Sequence, residues 1–439
     1  MNKLKNIFLS AFLLVFTATA GLAQDTTRLA DYKKMMSQQD MSKMRILGEA
    51  FISTHPESST NVAFDIKNRI SYAHVYSVTV VLNVMEKNYD IIKKYIHELP
   101  YGSMASIYYK TIQIPHDRKD MKDQELYPYA DLLMKRLESF RNHPPKDVLD
   151  IPLNEWKEQF NLSIAKNFLP THIGILYNVG KKDEALQYAV LAQQYLQYKK
   201  ASVNGVQAMV LNEKGKTADL KNLLIKSIYE NQSTPEMLDM LKQAYVKEKK
   251  TEIGFPAYLE SLKNSENQHK QAKEVIGKLL NKDVPEFSMQ DGNGKLVKSK
   301  DLLGKIVVLD FWATWCVPCK ASFPGMKLAM DKYKNDSSVI FYFVDTEERG
   351  NTYKEEVLAY LKKNNFPFQV LFDNPVPGEK ATGEVFNSMC KAFTISGIPQ
   401  KLVIDPKGKL RFISVGYHGS PTALADEIST MVDYIKSNQ

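Results

Sequence analysis

Two cysteines lie two residues apart in Trp315-Cys316-Val317-Pro318-Cys319, directly after the apolar run Ile306-Val307-Val308-Leu309 and at the opening of a segment that reads as a helix. A pair placed this way can close and reopen a disulfide, and the unpaired N–H groups and dipole of a helix N-terminus favour the thiolate of the first cysteine. Zinc is the main non-redox use of such a pair, but it requires further ligands. The chain has no second Cys-x-x-Cys and no closely spaced histidine pair, and only Cys390 and His418 stand near in sequence. Dithiol exchange is the expected chemistry, with no metal and no cofactor.

The elements that must hold this pair begin near Val284. Pro285-Glu286-Phe287-Ser288-Met289 followed by Asp291-Gly292-Asn293-Gly294 predicts a strand and a hairpin turn, since Gly and Asn tolerate the positive φ of such turns. A buried strand over 305–311, a helix over 317–334, a strand over 339–344 and a helix over 353–363 follow. A short strand (369–372), a helix (384–393), two strands around Asp405-Pro406-Lys407-Gly408 and a last helix from Pro421 complete the series. Strands alternating with helices and closing on a hairpin predict an α/β sheet.

Within that frame, Asp310-Phe311-Trp312-Ala313-Thr314-Trp315-Cys316-Val317-Pro318-Cys319-Lys320 resembles the active-site segment of the thioredoxin superfamily, nearest the exported TlpA/ResA-type thiol-disulfide oxidoreductases. The resemblance spans 283–439 and includes Pro324 inside the active-site helix and Ile398-Pro399 before a strand. It implies that Cys316 is the exposed nucleophile and that Cys319, one turn deeper, resolves the mixed disulfide. Asp310 matches the superfamily's buried acid, where many TlpA/ResA-type members carry another residue. Among Val307, Val308, Leu309 and Phe311 its unpaired carboxylate is costly, so a raised pKa would let it exchange protons with the inner thiol. Strand alternation leaves open an outward, exposed Asp310.

The same resemblance implies a cis Pro399 beside the dithiol, with the backbone at Ile398 free to pair with an extended substrate chain. Trp315 is expected to flank the nucleophile as a contact surface, with Trp312 packed behind it. Cys390 reads as a small buried hydrophobe. A thiol peroxidase is disfavoured, because no Pro-x-x-x-Thr-x-x-Cys precedes Cys316.

Upstream, 24–282 is rich in Leu, Met, Lys, Glu, Gln and Ala, with Gly and Pro mainly at turns, and predicts an all-α region. Val75 to Val84 is β-branched between helical flanks and reads as either strand or buried helix. The segments around Gly180 and Gly215 are alike and resemble tetratricopeptide hairpins, with a degenerate third copy whose turn residue is Asn88. An irregular helical domain fits these few matches equally well. The fold class is multidomain: an all-α N-terminal region, then an α/β thioredoxin-like domain over 283–439.

Met1-Asn2-Lys3-Leu4-Lys5 followed by the apolar stretch from Ile7 to Phe16 reads as a signal peptide over 1–23, with cleavage after Ala20 or Ala23. A membrane anchor is the alternative, but the apolar run is short for a span. The mature chain is expected to be exported, periplasmic and soluble. Three cysteines in 439 residues exclude a disulfide scaffold. The net charge of +8 is spread among acids and gives little argument for nucleic acid. The expected partners are disulfide-containing protein substrates and, by resemblance, a membrane thiol electron donor. The alternative function is a helical binding or scaffold protein with an auxiliary thioredoxin-like domain.

Overall fold

The computed structural model describes residues 26–56, 64–65, 70–145 and 150–438; the expected signal peptide and its cleavage sites lie outside them. The chain forms two compact units, Met1–Lys181 and Lys182–Gln439. In the first, helices include Met41–Thr54, Tyr72–Met85, Asp123–Ser139, Leu153–Asn167 and Leu169–Asn178, and one short antiparallel pair joins Phe64–Asp65 to Ile70–Ser71. The ambiguous Val75 to Val84 run is helical. Its helix is buried on nearly every side, so packing overrides the β-branched preference, and Ser71 caps it by accepting from His74 N.

The two glycine turns share one geometry. Gly180 and Gly215 have φ +84° and +65°, and the residue after each donates back to Leu176 O at 2.8 Å and Leu211 O at 2.9 Å. In the third segment the left-handed residue is Lys87, at φ 68°, and not Asn88; Asn88 N–H instead makes the equivalent bond to Asn83 O.

The second unit opens with helices α1 (Lys182–Leu196), α2 (Ala201–Glu213), α3 (Thr217–Tyr229), α4 (Pro235–Lys249), α5 (Phe255–Ser261) and α6 (Ser265–Ile276). Eight strands follow: β1 (Lys282–Asp283), β2 (Ser288–Asp291), β3 (Leu296–Lys298), β4 (Ile306–Trp312), β5 (Val339–Asp345), β6 (Val370–Phe372), β7 (Gln400–Ile404) and β8 (Lys409–Val415). Four more helices are interleaved, α7 (Val317–Lys332), α8 (Tyr353–Lys363), α9 (Glu384–Phe393) and α10 (Pro421–Ser437). The strands make one sheet in the order β1-β8-β7-β4-β5-β6-β2-β3, with β4–β5 and β5–β6 parallel and the rest antiparallel. The predicted hairpin turn is built by Asp291, whose Oδ1 accepts from Asn293 N and Lys295 N.

β4 sits centrally and is buried along its whole length, as its Ile-Val-Val-Leu run demands. Alternation divides it: Ile306, Val308 and Trp312 join the core beneath α7 and α10, whereas Val307, Leu309 and Phe311 join the opposite core with α9. The helices before the sheet are tied to it within this unit. Val275 and Leu279 pack on the first of these cores, Leu280 N–H donates to Arg411 O at 2.8 Å, and Asp426 on α10 accepts from Asn231 and Lys263.

Candidate active site

Cys316 is the N-cap of α7. Its backbone is extended, Pro318 occupies the first turn where no N–H partner is needed, and Cys316 Sγ accepts from Cys319 N at 3.3 Å. Cys316 and Cys319 are joined as a disulfide with Cα atoms 5.3 Å apart. Pro324 lies inside the same helix and cannot donate to the carbonyl one turn back. Cys316 departs from the exposed position expected of it: in the closed pair only 3 % of the residue is accessible, because its sulfur is turned onto Cys319 and into the core with Ala313 and Phe323.

Beneath the disulfide, Asp310 follows the inward alternation of Val308 and Trp312 and is 1 % exposed, which removes the outward alternative. Burial pushes its carboxyl up to about 6, opposed by Lys401. The pair follows from register: Asp310 on β4 lies opposite Lys401 on antiparallel β7. Lys401 Nζ stands 3.6 Å from Asp310 Oδ1, an ion pair too long for a hydrogen bond, and both side chains are buried. The ammonium also donates to Ser322 Oγ and Gly416 O, each at 3.4 Å, and Ser322 Oγ donates to Cys319 O at 2.7 Å. A polar chain thus runs from Asp310 through Lys401 and Ser322 to the backbone of the inner cysteine.

The Ile398–Pro399 peptide is cis. Among the described residues, Ile398 makes no backbone hydrogen bond, while Pro399 O accepts from Gly416 N at 2.9 Å. Trp315 is 55 % exposed, with Nε1 donating to Glu347 O at 3.1 Å. Trp312 is wholly buried and packs edge-on against Phe323, as expected. The segment between these tryptophans is held by Thr314 N–H donating to the buried carboxylate of Glu348, whose own N–H donates to Thr382 Oγ1 at 3.0 Å.

Lys401, Ser322 and Glu348 were not foreseen from sequence. A lone charged residue inside the apolar β7 run was the available signal for Lys401; Ser322 and Glu348 had none. Cys390 on α9 is half-buried, its thiol pushed up by burial and by Glu347. No group of three or more His, Cys, Asp or Glu among the described residues is arranged to hold a metal ion, and no helix among them is long and apolar enough to cross a membrane.

A mixed sheet flanked by helices, with a Cys-x-x-Cys disulfide capping the helix after the central strand, defines a thioredoxin-like domain. Residues 280–413 match the AhpC/TSA family, and this C-terminal part of the chain is an AhpC/TSA thioredoxin-like domain. Thiol-disulfide oxidoreductase ResA of Bacillus subtilis (strain 168) is 31% identical over 134 residues, 30% of this chain and 66% of ResA, just under two thirds of its length. Thioredoxin-like protein YneN of the same strain is 27% identical over 145 residues, 33% of this chain and 76% of YneN. A crystal structure of a thioredoxin family thiol:disulfide interchange protein from Chlorobium tepidum TLS is 26% identical, covering 35% of this chain and 97% of that one, with a TM-score of 0.29.

Proposed function

We propose that the protein is an exported thiol-disulfide oxidoreductase that reduces disulfides in protein substrates, with its redox chemistry in 283–439. The Cys316 thiolate attacks one sulfur of the substrate disulfide, forms a mixed disulfide and releases the other substrate sulfur as a thiolate. Cys319, deprotonated, then attacks Cys316 Sγ, the second substrate thiolate leaves, and the Cys316–Cys319 disulfide closes. Two electrons reach the substrate; a dithiol donor, by family resemblance a membrane thiol carrier, restores them.

Asp310 is the acceptor for the Cys319 proton, a role suited to a carboxyl held near neutrality. Trp315, Ile398 and Pro399 receive the substrate chain: Trp315 offers an exposed aromatic face, and Ile398 leaves its peptide groups unspent. The reducing direction is supported by Val317-Pro318 and by Ile398, which resemble reducing members of the superfamily. Export is supported by the composition of residues 1–23.

The observation that carries this reading is the Cys316–Cys319 disulfide at the N-terminus of α7, with a buried carboxyl group on the strand below. Cys316→Ser is expected to abolish insulin-disulfide reduction by the full chain; retained reduction would overturn the assignment. Cys319→Ser should instead accumulate a mixed disulfide at Cys316. Equilibration of the full chain against glutathione tests direction: a potential near or above about −150 mV contradicts a reductant.

A further inference from the structure

A cleft of about 760 Å³ opens beside Trp315, on a wall made by two loops distant in sequence. One follows β5 and carries Glu347, Glu348 and Arg349; the other follows β6 and carries Glu379, Ala381 and Thr382. The Arg349–Ala381 bridge and the Glu348 N–H bond to Thr382 Oγ1 join the loops, and the Pro375–Thr382 bridge closes the second loop on itself. The cleft is therefore built into the fold at the residue preceding Cys316.

Its charge is lopsided. Glu347, Glu348 and Glu379 line it against one cation, Arg349. Glu348 forms the floor, 5 % exposed, and is engaged by Thr314 N–H. Glu347 and Glu379 form no ion pair with a described residue; Glu379 is exposed and Glu347 half-buried, and both line the cleft. Burial, and after it the charge of Asp373, push the Glu347 carboxyl up. Neutral or acidic groups entering the cleft would leave these carboxylates uncompensated, whereas a cation offsets them.

We propose that this cleft is a substrate subsite that takes a basic side chain, Lys or Arg, carried by the substrate chain near its disulfide. The aromatic face of Trp315 covers the aliphatic stem of that side chain, and the Glu347 and Glu379 carboxylates receive its head. The proposal rests on the redox reading above and adds a preference among disulfides to it.

Three synthetic disulfide-bridged peptides, with Lys, Ser or Glu flanking the cysteine, test it against the full chain with dithiothreitol as electron donor. The Lys peptide is expected to exceed the Glu peptide by about tenfold in kcat/KM, mainly through KM, with the gap narrowing as salt rises. In Glu347→Gln/Glu379→Gln, with each rate expressed relative to the Ser peptide, the gap is expected to shrink to about twofold or less. Equal use of Lys and Glu peptides by the unmodified chain, or a preference that survives the double substitution, overturns the subsite while leaving the redox reading standing. Failure to reduce even the Ser peptide overturns the redox reading, and the subsite with it.

Discussion

At Asp310 and Lys401, two charges share a fully buried position beneath the dithiol. The folded-state pKa of about 6 lies above the ~3.9 of an ordinary aspartate, so the protonated carboxyl is the form the fold favours. That contribution is fully present below pH ~4 and is lost as pH rises through ~6, an amount on the order of 3 kcal/mol. Denaturant midpoints measured at pH 4 and pH 7.5 should show this loss in the native chain and not in Asp310→Asn; parallel pH slopes would contradict it. Lys401→Met removes the cation that opposes burial, so the Asp310 pKa should move above 6. The infrared band of the protonated carboxyl should then persist to higher pH, and an unmoved titration would show that the two groups are not coupled. Asp310 stood out in the sequence as an acid interrupting an apolar strand, but alternation left its direction open and only packing turned it inward. Its partner was not legible, since pairing across β4 and β7 depends on a register between residues 91 positions apart.

The element that presents the dithiol, α7, is fixed by its packing on α10. A Cβ added at Gly325 would lie 2.7 Å from Pro421 O and 3.1 Å from Pro421 Cα, backbone atoms that cannot rotate away. Gly325→Ala is therefore expected to destabilise the protein by ~1–3 kcal/mol, read as a lowered denaturant midpoint, and to reduce activity by shifting the helix that carries both cysteines. No change in either would show that the two helices separate easily. Ser420 secures the other partner: it caps α10 by accepting from Ala423 N and donates to Asn231 O at 2.7 Å. Helix and strand boundaries around this site were readable to within a residue or two, because capping and period-two or 3.6 patterns are local properties. The Val75 to Val84 run was not, since only surrounding packing decides whether β-branched residues lie on a strand or in a buried helix.

For the whole molecule, the change from helix to strand at β1 and the division into compact units fall at different places. Helices α1 to α6 share a unit with the sheet, held by the Asp426 contacts, the Leu280–Arg411 bond and the packing of Val275 and Leu279. A chain beginning at Lys182 is expected to reduce disulfides within about twofold of the full protein, since the dithiol machinery stays whole. One beginning at Asp283 uncovers the apolar surface under α6 and should melt roughly 5–10 °C lower than the Lys182 chain. Thermal unfolding of both compares them directly; equal melting temperatures would mean that the helices add no stability to the sheet.

The sequence alone determined what depends on neighbours along the chain: a Cys-x-x-Cys at a helix start, an acid in an apolar strand, and the order of strands and helices. Chemistry and periodicity are local, and a few residues suffice to display them. Tertiary structure decided what depends on distant segments meeting. It closed Cys316 into the core, set Lys401 against Asp310, joined two loops into an acidic cleft at Trp315, and placed α1 to α6 with the sheet. Each of these follows from strand register and helix packing, which bring together residues whose separation in sequence carries no signal of their contact.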